Sequence, residues 1–201
     1  MDIRQQVARL VGVGVPARAG MGEDEFRALA GGLHGGGIVC VHPSLVPASV
    51  LAGLLERAGR PGFVVEDMTD LADFEPLDGL QVPERSLYLL HGVERGDDLR
   101  GWTPNDALPA ITARGRTPLT ISEGISWLLQ EPDRLEQNRC FMCIGSRKRG
   151  PRGLDARTPA IWISRGTGRD GAARRDAPKV GWCWAGNHHT WLGIASAAGR
   201  S

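Results

Sequence analysis

Near the C-terminal end the stretch GWCWAGNHHTWLG, residues 181–193, gathers three Trp, two adjacent His, one Cys and one Asn. Imidazoles exchange protons near neutral pH and donate to anions. The spacing predicts that a strand, KVGWCWAG, ends here and that Asn187 caps a following helix, HTWLGIASAA. A helix start leaves its first amides unpaired, which makes an anion site. His188 and His189 would add donors or act as acid and base there. His189 would be the proton-transfer group, with Glu123 as a partner. Trp182 and Trp184 share one face of a strand, where they either wall a ligand or fill core as large aromatics. An arginine from the basic joins, such as Arg165, would close over the ligand.

A second constellation is spread out. His42, Glu66 with Asp67, and His91 each fall at the C-terminal end of an expected strand. In a parallel sheet those ends share one edge, where open α/β sheets bind ligands. A metal site is the third option, with Cys140, Cys143, Cys183 and His188 as four candidate ligands. The strand reading of CFMC opposes it, since positions three apart on a strand face opposite ways. Buried structural thiols are the simpler reading.

The elements that must position these groups follow from periodicity. Residues 2–11 and 23–30 have helical spacing and form a helical N-terminal arm over residues 1–35. GIVCVHP reads as a strand over residues 37–42, SLVPASVLAGLLERAG as a helix stopped at Gly59, PGFVVED as a second strand and SLYLLHGVE as a third. Strand, helix and strand with short joins predict a parallel βαβ unit. Two helices then carry legible caps. Thr103 with Pro104 and Asp106 starts one, in which Pro109 predicts a kink or break. Thr120 with Glu123 forms a capping box for the other, closed by Pro132. CFMCIG, TPAIWIS and KVGWCWAG return to strands. Between them lie Gly/Arg-rich joins at residues 145–158 and 165–179, expected to be exposed and mobile. The fold class is therefore α/β (or α+β): one domain over residues 1–201, with a central mixed sheet, a parallel βαβ N-terminal part, flanking helices and strands returning in the last third.

Composition narrows the function classes. The chain has 201 residues, 41% hydrophobic and 23% charged, with a net charge of +1. A chain of this length buries about 70% of its unfolded surface and needs no staples. A near-neutral charge argues against nucleic acid as a partner. No apolar run reaches a bilayer-spanning length, MDIRQQVARL lacks a signal-like apolar stretch, and four scattered Cys point to reduced thiols in a cytoplasmic protein. EDMTDLADFEPLD lacks calcium-loop spacing. There is no P-loop, Rossmann fingerprint, nucleophile elbow or HExxH, so no cofactor is expected.

From Trp102 onward, TPNDALPAITARGRTPLTISEGISWLL, PAIWISRG and GWCWAGNHHTWLGIASAAGR resemble an actinobacterial family known only as domain of unknown function 5701. The likeness covers the second half well and YLLHGVERG more loosely, and the tail is its most specific part. Against that family TGRDGAARRDA reads as a local insertion. The resemblance implies membership and no particular reaction. The sequence thus predicts a small-molecule-binding protein, with redox-independent acid–base chemistry on a polar or anionic metabolite as the enzymatic form. The alternatives are a non-enzymatic module contacting protein or nucleic acid through its Arg-rich loops, and a metal- or haem-bearing protein using His and Cys.

Overall fold

The computed structural model describes residues 1–151 and 153–201. The chain opens with α1 (Ile3–Gly12), α2 (Val15–Arg18) and α3 (Glu23–Leu29). Asp2 starts α1 by a capping box: its carboxylate accepts from the Gln5 N–H, and the Gln5 side chain accepts from the Asp2 N–H. α1 buries Val7 and Leu10. From the same helix the Gln6 amide donates to the Gly37 carbonyl at 2.7 Å and accepts from the Val39 N–H at 2.8 Å. The expected N-terminal arm is therefore helical and docked on the first strand.

That strand is β1 (Ile38–Val41), followed by α4 (Ala48–Ala52). The helix expected over residues 44–59 is cut short. Beyond Ala52 the chain folds into a hairpin of β2 (Glu56–Arg57) and β3 (Arg60–Pro61). Ala58 and Gly59 sit at its tip with φ of 51° and 68°. A two-residue hairpin of this hand requires both central residues in the left-handed region. Gly59 takes that region freely, and Pro61 lacks the N–H a continuing helix would need. Then come β4 (Phe63–Val64), β5 (Phe74–Pro76), β6 (Leu87–His91), α5 (Pro104–Ala113), β7 (Thr117–Pro118) and α6 (Ile121–Gln130). The last third holds β8 (Cys140–Met142), β9 (Ser146–Gly150), β10 (Gly153–Leu154), β11 (Arg157–Ile163), β12 (Pro178–Trp184), β13 (Leu192–Ile194), β14 (Ser196–Ala197) and β15 (Gly199–Arg200).

The protein is mixed α/β. A five-stranded mixed sheet runs β13-β8-β11-β12-β4, parallel at both outer pairs and antiparallel inside. A three-stranded antiparallel sheet runs β1-β6-β15, and another runs β10-β9-β5. α6 lies between the first two sheets and packs on β1 and β11. All of its residues are buried, as expected of a helix enclosed on every side. Gly124 is the close approach that permits this: a Cβ there would run into Cys143 Sγ. α5 is not broken at Pro109, which is exposed, so its missing N–H falls on the solvent side of the helix.

Two expectations are corrected. The N-terminal strands form no parallel βαβ unit: β1 pairs antiparallel with β6, Val39 opposite Leu89, while β4 joins β12 in the other sheet. A parallel crossover consumes a dozen or more residues, and the residues after α4 are spent on the hairpin. No closing helix follows Asn187; the tail becomes β13, β14 and β15, because residues 192–197 are all buried. Gly193 there lies on the Arg95 carbonyl, where a Cβ would collide. Much of the two basic joins is exposed, as at residues 149–151 and 167–169. Within them β9 (Ser146–Gly150) pairs antiparallel with β10 (Gly153–Leu154), and Arg152 of that join lies outside the described residues. Lys148 pairs with Asp70 and Asp73, Arg157 with Asp70 and Asp155, and Lys179 with Asp170. Among the described residues no helix is long and apolar enough to cross a membrane.

Candidate functional site

The AGNHHT stretch is a strand-to-strand turn. The Asn187 N–H donates to the Trp184 carbonyl, closing the turn rather than capping a helix. His188 Nδ1–H donates to the Gly101 carbonyl at 2.7 Å and His189 Nε2–H to the Trp184 carbonyl at 3.3 Å. The Gly101 N–H returns a bond to the His189 carbonyl at 3.0 Å. Both imidazoles thus tie the turn together and to the segment leading into α5. Trp182 and Trp184 stack edge to face at 4.7 Å. The Arg157 guanidinium lies 5.9 Å from the Trp182 ring and 5.4 Å from Phe74. Trp182 and Phe74 thus brace the protein's own arginine, and Trp184 is exposed.

The strand-end constellation does not assemble. With β1 and β6 antiparallel, His42 and His91 lie at opposite ends of the pair. His42 Nδ1 sits 2.6 Å from the Ser44 hydroxyl, and burial pushes the ring's pKa down. His91 donates from Nδ1 to the Gly36 carbonyl and accepts at Nε2 from the Ser201 hydroxyl. Asp67 and Glu66 pair with Arg169 and Arg174 beside the other sheet. Cys143 faces α6 at Gly124, whereas Cys140 lines a separate pocket with Trp162 and Arg165. The two thiols therefore serve opposite sides of the sheet.

Glu123 is the chemically loaded residue, with partners other than His189. Its capping box is present: Thr120 Oγ1 accepts from the Glu123 N–H, and Glu123 Oε2 accepts from the Thr120 N–H at 2.7 Å. Arg200 completes the site, donating from Nε to Oε1 at 2.5 Å and from Nη2 to Oε2 at 2.8 Å. The Tyr88 hydroxyl donates to Oε1 at 3.0 Å. Arg200 also donates to Thr117 Oγ1 and to the Pro118 carbonyl. The Glu123 side chain is 0% exposed and that of Arg200 4%. Burial opposes the charge on Arg200, yet the paired carboxylate keeps its pKa raised. Burial, and then the Glu123 charge, pushes the Tyr88 hydroxyl far up.

Arg200 forms the floor of a groove of about 860 Å³. One wall is the hairpin end, with Arg149 and Leu154. The opposite wall is α5 and its exit, with Leu108 and Arg116. Leu77 and Leu80 close the third side. Arg116 is held in place by Ser196 Oγ at 2.9 Å, the Gly92 carbonyl at 2.6 Å and the exposed Glu94 carboxylate at 3.2 Å. Arg149 pairs at the rim with Asp78, both well exposed. Arg116 and Arg149 thus line the groove among apolar walls, each paired with a carboxylate, while the guanidinium of Arg200 is buried beneath it and held by Glu123. Sequence reasoning missed Arg116, Ser196 and Arg200. The available signal was the tail IASAAGR, an arginine in a small-residue, apolar run with no local acidic partner.

A model of a family of unknown function, DUF5701, matches residues 9–201. No curated protein and no solved structure matches the chain.

Proposed function

The chain belongs to a family of unknown function, DUF5701, and we propose that it binds a small amphipathic anion in the groove floored by Arg200. The observation that carries this reading is the lining: Arg149, in an exposed pair with Asp78, and Arg116 share one groove with Leu77, Leu80, Leu108 and Leu154, above the buried Glu123–Arg200 pair. Ligand sites are concave and mostly apolar, with few polar groups fixing orientation. Guanidiniums bind carboxylate, sulfonate or phosphate in a bidentate manner. The Arg149–Asp78 pair is exposed and of the kind worth at most about 1 kcal/mol, so a ligand anion displaces it at little cost. The described lining residues include no His, Cys, Tyr or Glu, and the one carboxylate among them, Asp78, is paired with Arg149, which favours binding over acid–base catalysis here.

The test uses 8-anilinonaphthalene-1-sulfonate, which joins aromatic rings to one anion, and its neutral relative N-phenyl-1-naphthylamine. The sulfonate should bind saturably at one site, and Arg149→Ala or Arg116→Ala should each weaken it about tenfold, the value of one charge-assisted hydrogen bond. Near-UV circular dichroism confirms that the variants keep native packing. Equal binding of the neutral probe, or no effect of either substitution, rejects the reading.

A further inference from the structure

On the side of the five-stranded sheet away from α6 lies a second, smaller pocket of about 310 Å³. Ile161 points toward Gly124 of α6, so its neighbour Trp162 points the other way. The Trp162 ring lies across β12 directly over Gly181, where any Cβ would strike it. Lys179 Nζ sits 5.3 Å from the ring centre, and Trp191 meets it edge to face at 6.2 Å and 85°. The two indoles form a fixed right-angled corner, yet Trp191 is 41% exposed. An exposed indole held this way is a stacking surface without an occupant from its own chain.

The polar side of the corner is chemically specific. A tight turn between Glu136 and Arg139 sets Gln137 and Asn138 at its tip, facing the pocket. Among the described residues the side chains of Gln137, Asn138 and Thr167 make no hydrogen bond to the protein. Lys179 is neutralised by Asp170 at 2.8 Å. The wall therefore offers two amides and a hydroxyl, groups that both donate and accept, beside an aromatic corner. Phosphate would call for a cluster of unspent cations, and among the described residues the pocket has Arg165 alone without an ion pair. Hydroxyls that donate and accept on a ring with an apolar C–H face match this wall.

We propose that the Trp162–Trp191 corner is a subsite for a neutral saccharide ring, separate from the Arg200 groove. The ring would stack on Trp191 and spend its hydroxyls on Gln137, Asn138 and Thr167. The test is tryptophan emission and calorimetry of the full chain against D-glucose, D-mannose, N-acetyl-D-glucosamine and maltose, with adenosine monophosphate as comparator. At least one sugar should give a saturable response with Kd on the order of 1 mM. Trp191→Ala should weaken it about tenfold, read by calorimetry, and Gln137→Ala should weaken it without touching an indole. Both substitutions should leave 8-anilinonaphthalene-1-sulfonate binding unchanged, so failure here is distinct from failure of the groove. No saturation by any of the four sugars, unchanged sugar binding in both variants, or binding of the nucleotide alone overturns the proposal.

Discussion

Glu123 and Arg200 meet as a buried ion pair with two parallel hydrogen bonds, across 77 residues of chain. One carboxylate does two jobs: Oε2 closes the cap of α6 on the Thr120 N–H, while both oxygens hold the strand that ends the third sheet position beside β6. The pair thereby joins the central helix to the floor of the groove. Removing one partner of a buried pair typically costs about 3–5 kcal/mol, because the other charge is stranded, whereas replacing both is far milder. Arg200→Met should therefore lower the unfolding free energy in urea by that amount. The double substitution Glu123→Gln with Arg200→Met should recover a substantial part. A loss below about 1 kcal/mol in the single variant would show that water reaches the carboxylate.

The turn at residues 185–191 should be structural rather than reactive. Each imidazole donates one hydrogen bond to a backbone carbonyl, an interaction worth about 1 kcal/mol. His188→Ala and His189→Ala should each destabilise the protein by about that much and leave sulfonate-probe binding in the groove untouched. Abolished binding in His189→Ala, with the fold intact, would move the site back to the turn.

What could be read from the sequence was what depends on neighbours a few residues apart. The Thr120 and Glu123 box, the Thr103 cap and α1 all follow from local hydrogen bonds and periodicity. The opposite facing of Cys140 and Cys143 followed from strand parity alone. Pairing partners could not be read this way. β1 is as apolar as a strand of a parallel sheet because α6 covers one side of it, and its antiparallel partner β6 is fixed only by the assembled core. The tail IASAA has helix-favouring alanines, yet its small side chains let three short strands thread through buried space, and packing overrides propensity there. The groove was missed for the same reason: Arg116, Arg149 and Arg200 come from three distant segments.

All four cysteines are buried and free. Burial pushes Cys40 and Cys143 well above the usual thiol range and Cys183 up to about 12. The reactive species is the thiolate, so a disulfide reagent at mildly alkaline pH should find almost no thiol in the native protein and all four in guanidinium chloride. Fast labelling of one thiol before unfolding would identify a local opening of the sheet.

Asp70 makes stability depend on acid in a defined window. The Arg157 guanidinium, at 2.6 Å, is the main cause that holds its carboxyl down at about 2, against an ordinary value of 3.8, with Lys148 adding to the effect at 2.9 Å. A carboxyl whose folded pKa is depressed contributes stability above its unfolded pKa and loses it as pH falls through the folded value. The contribution is about 2 kcal/mol at most at neutral pH, reduced somewhat because the side chain is 22% exposed and partly screened. Asp70→Asn should therefore be less stable than the natural chain at neutral pH, and the gap should narrow between about pH 4 and pH 2. Thermal unfolding of both proteins across that range reads the gap directly. A constant difference at every pH would assign the loss to packing around Phe74 and Trp182, where Arg157 also lies, and not to the charge on Asp70.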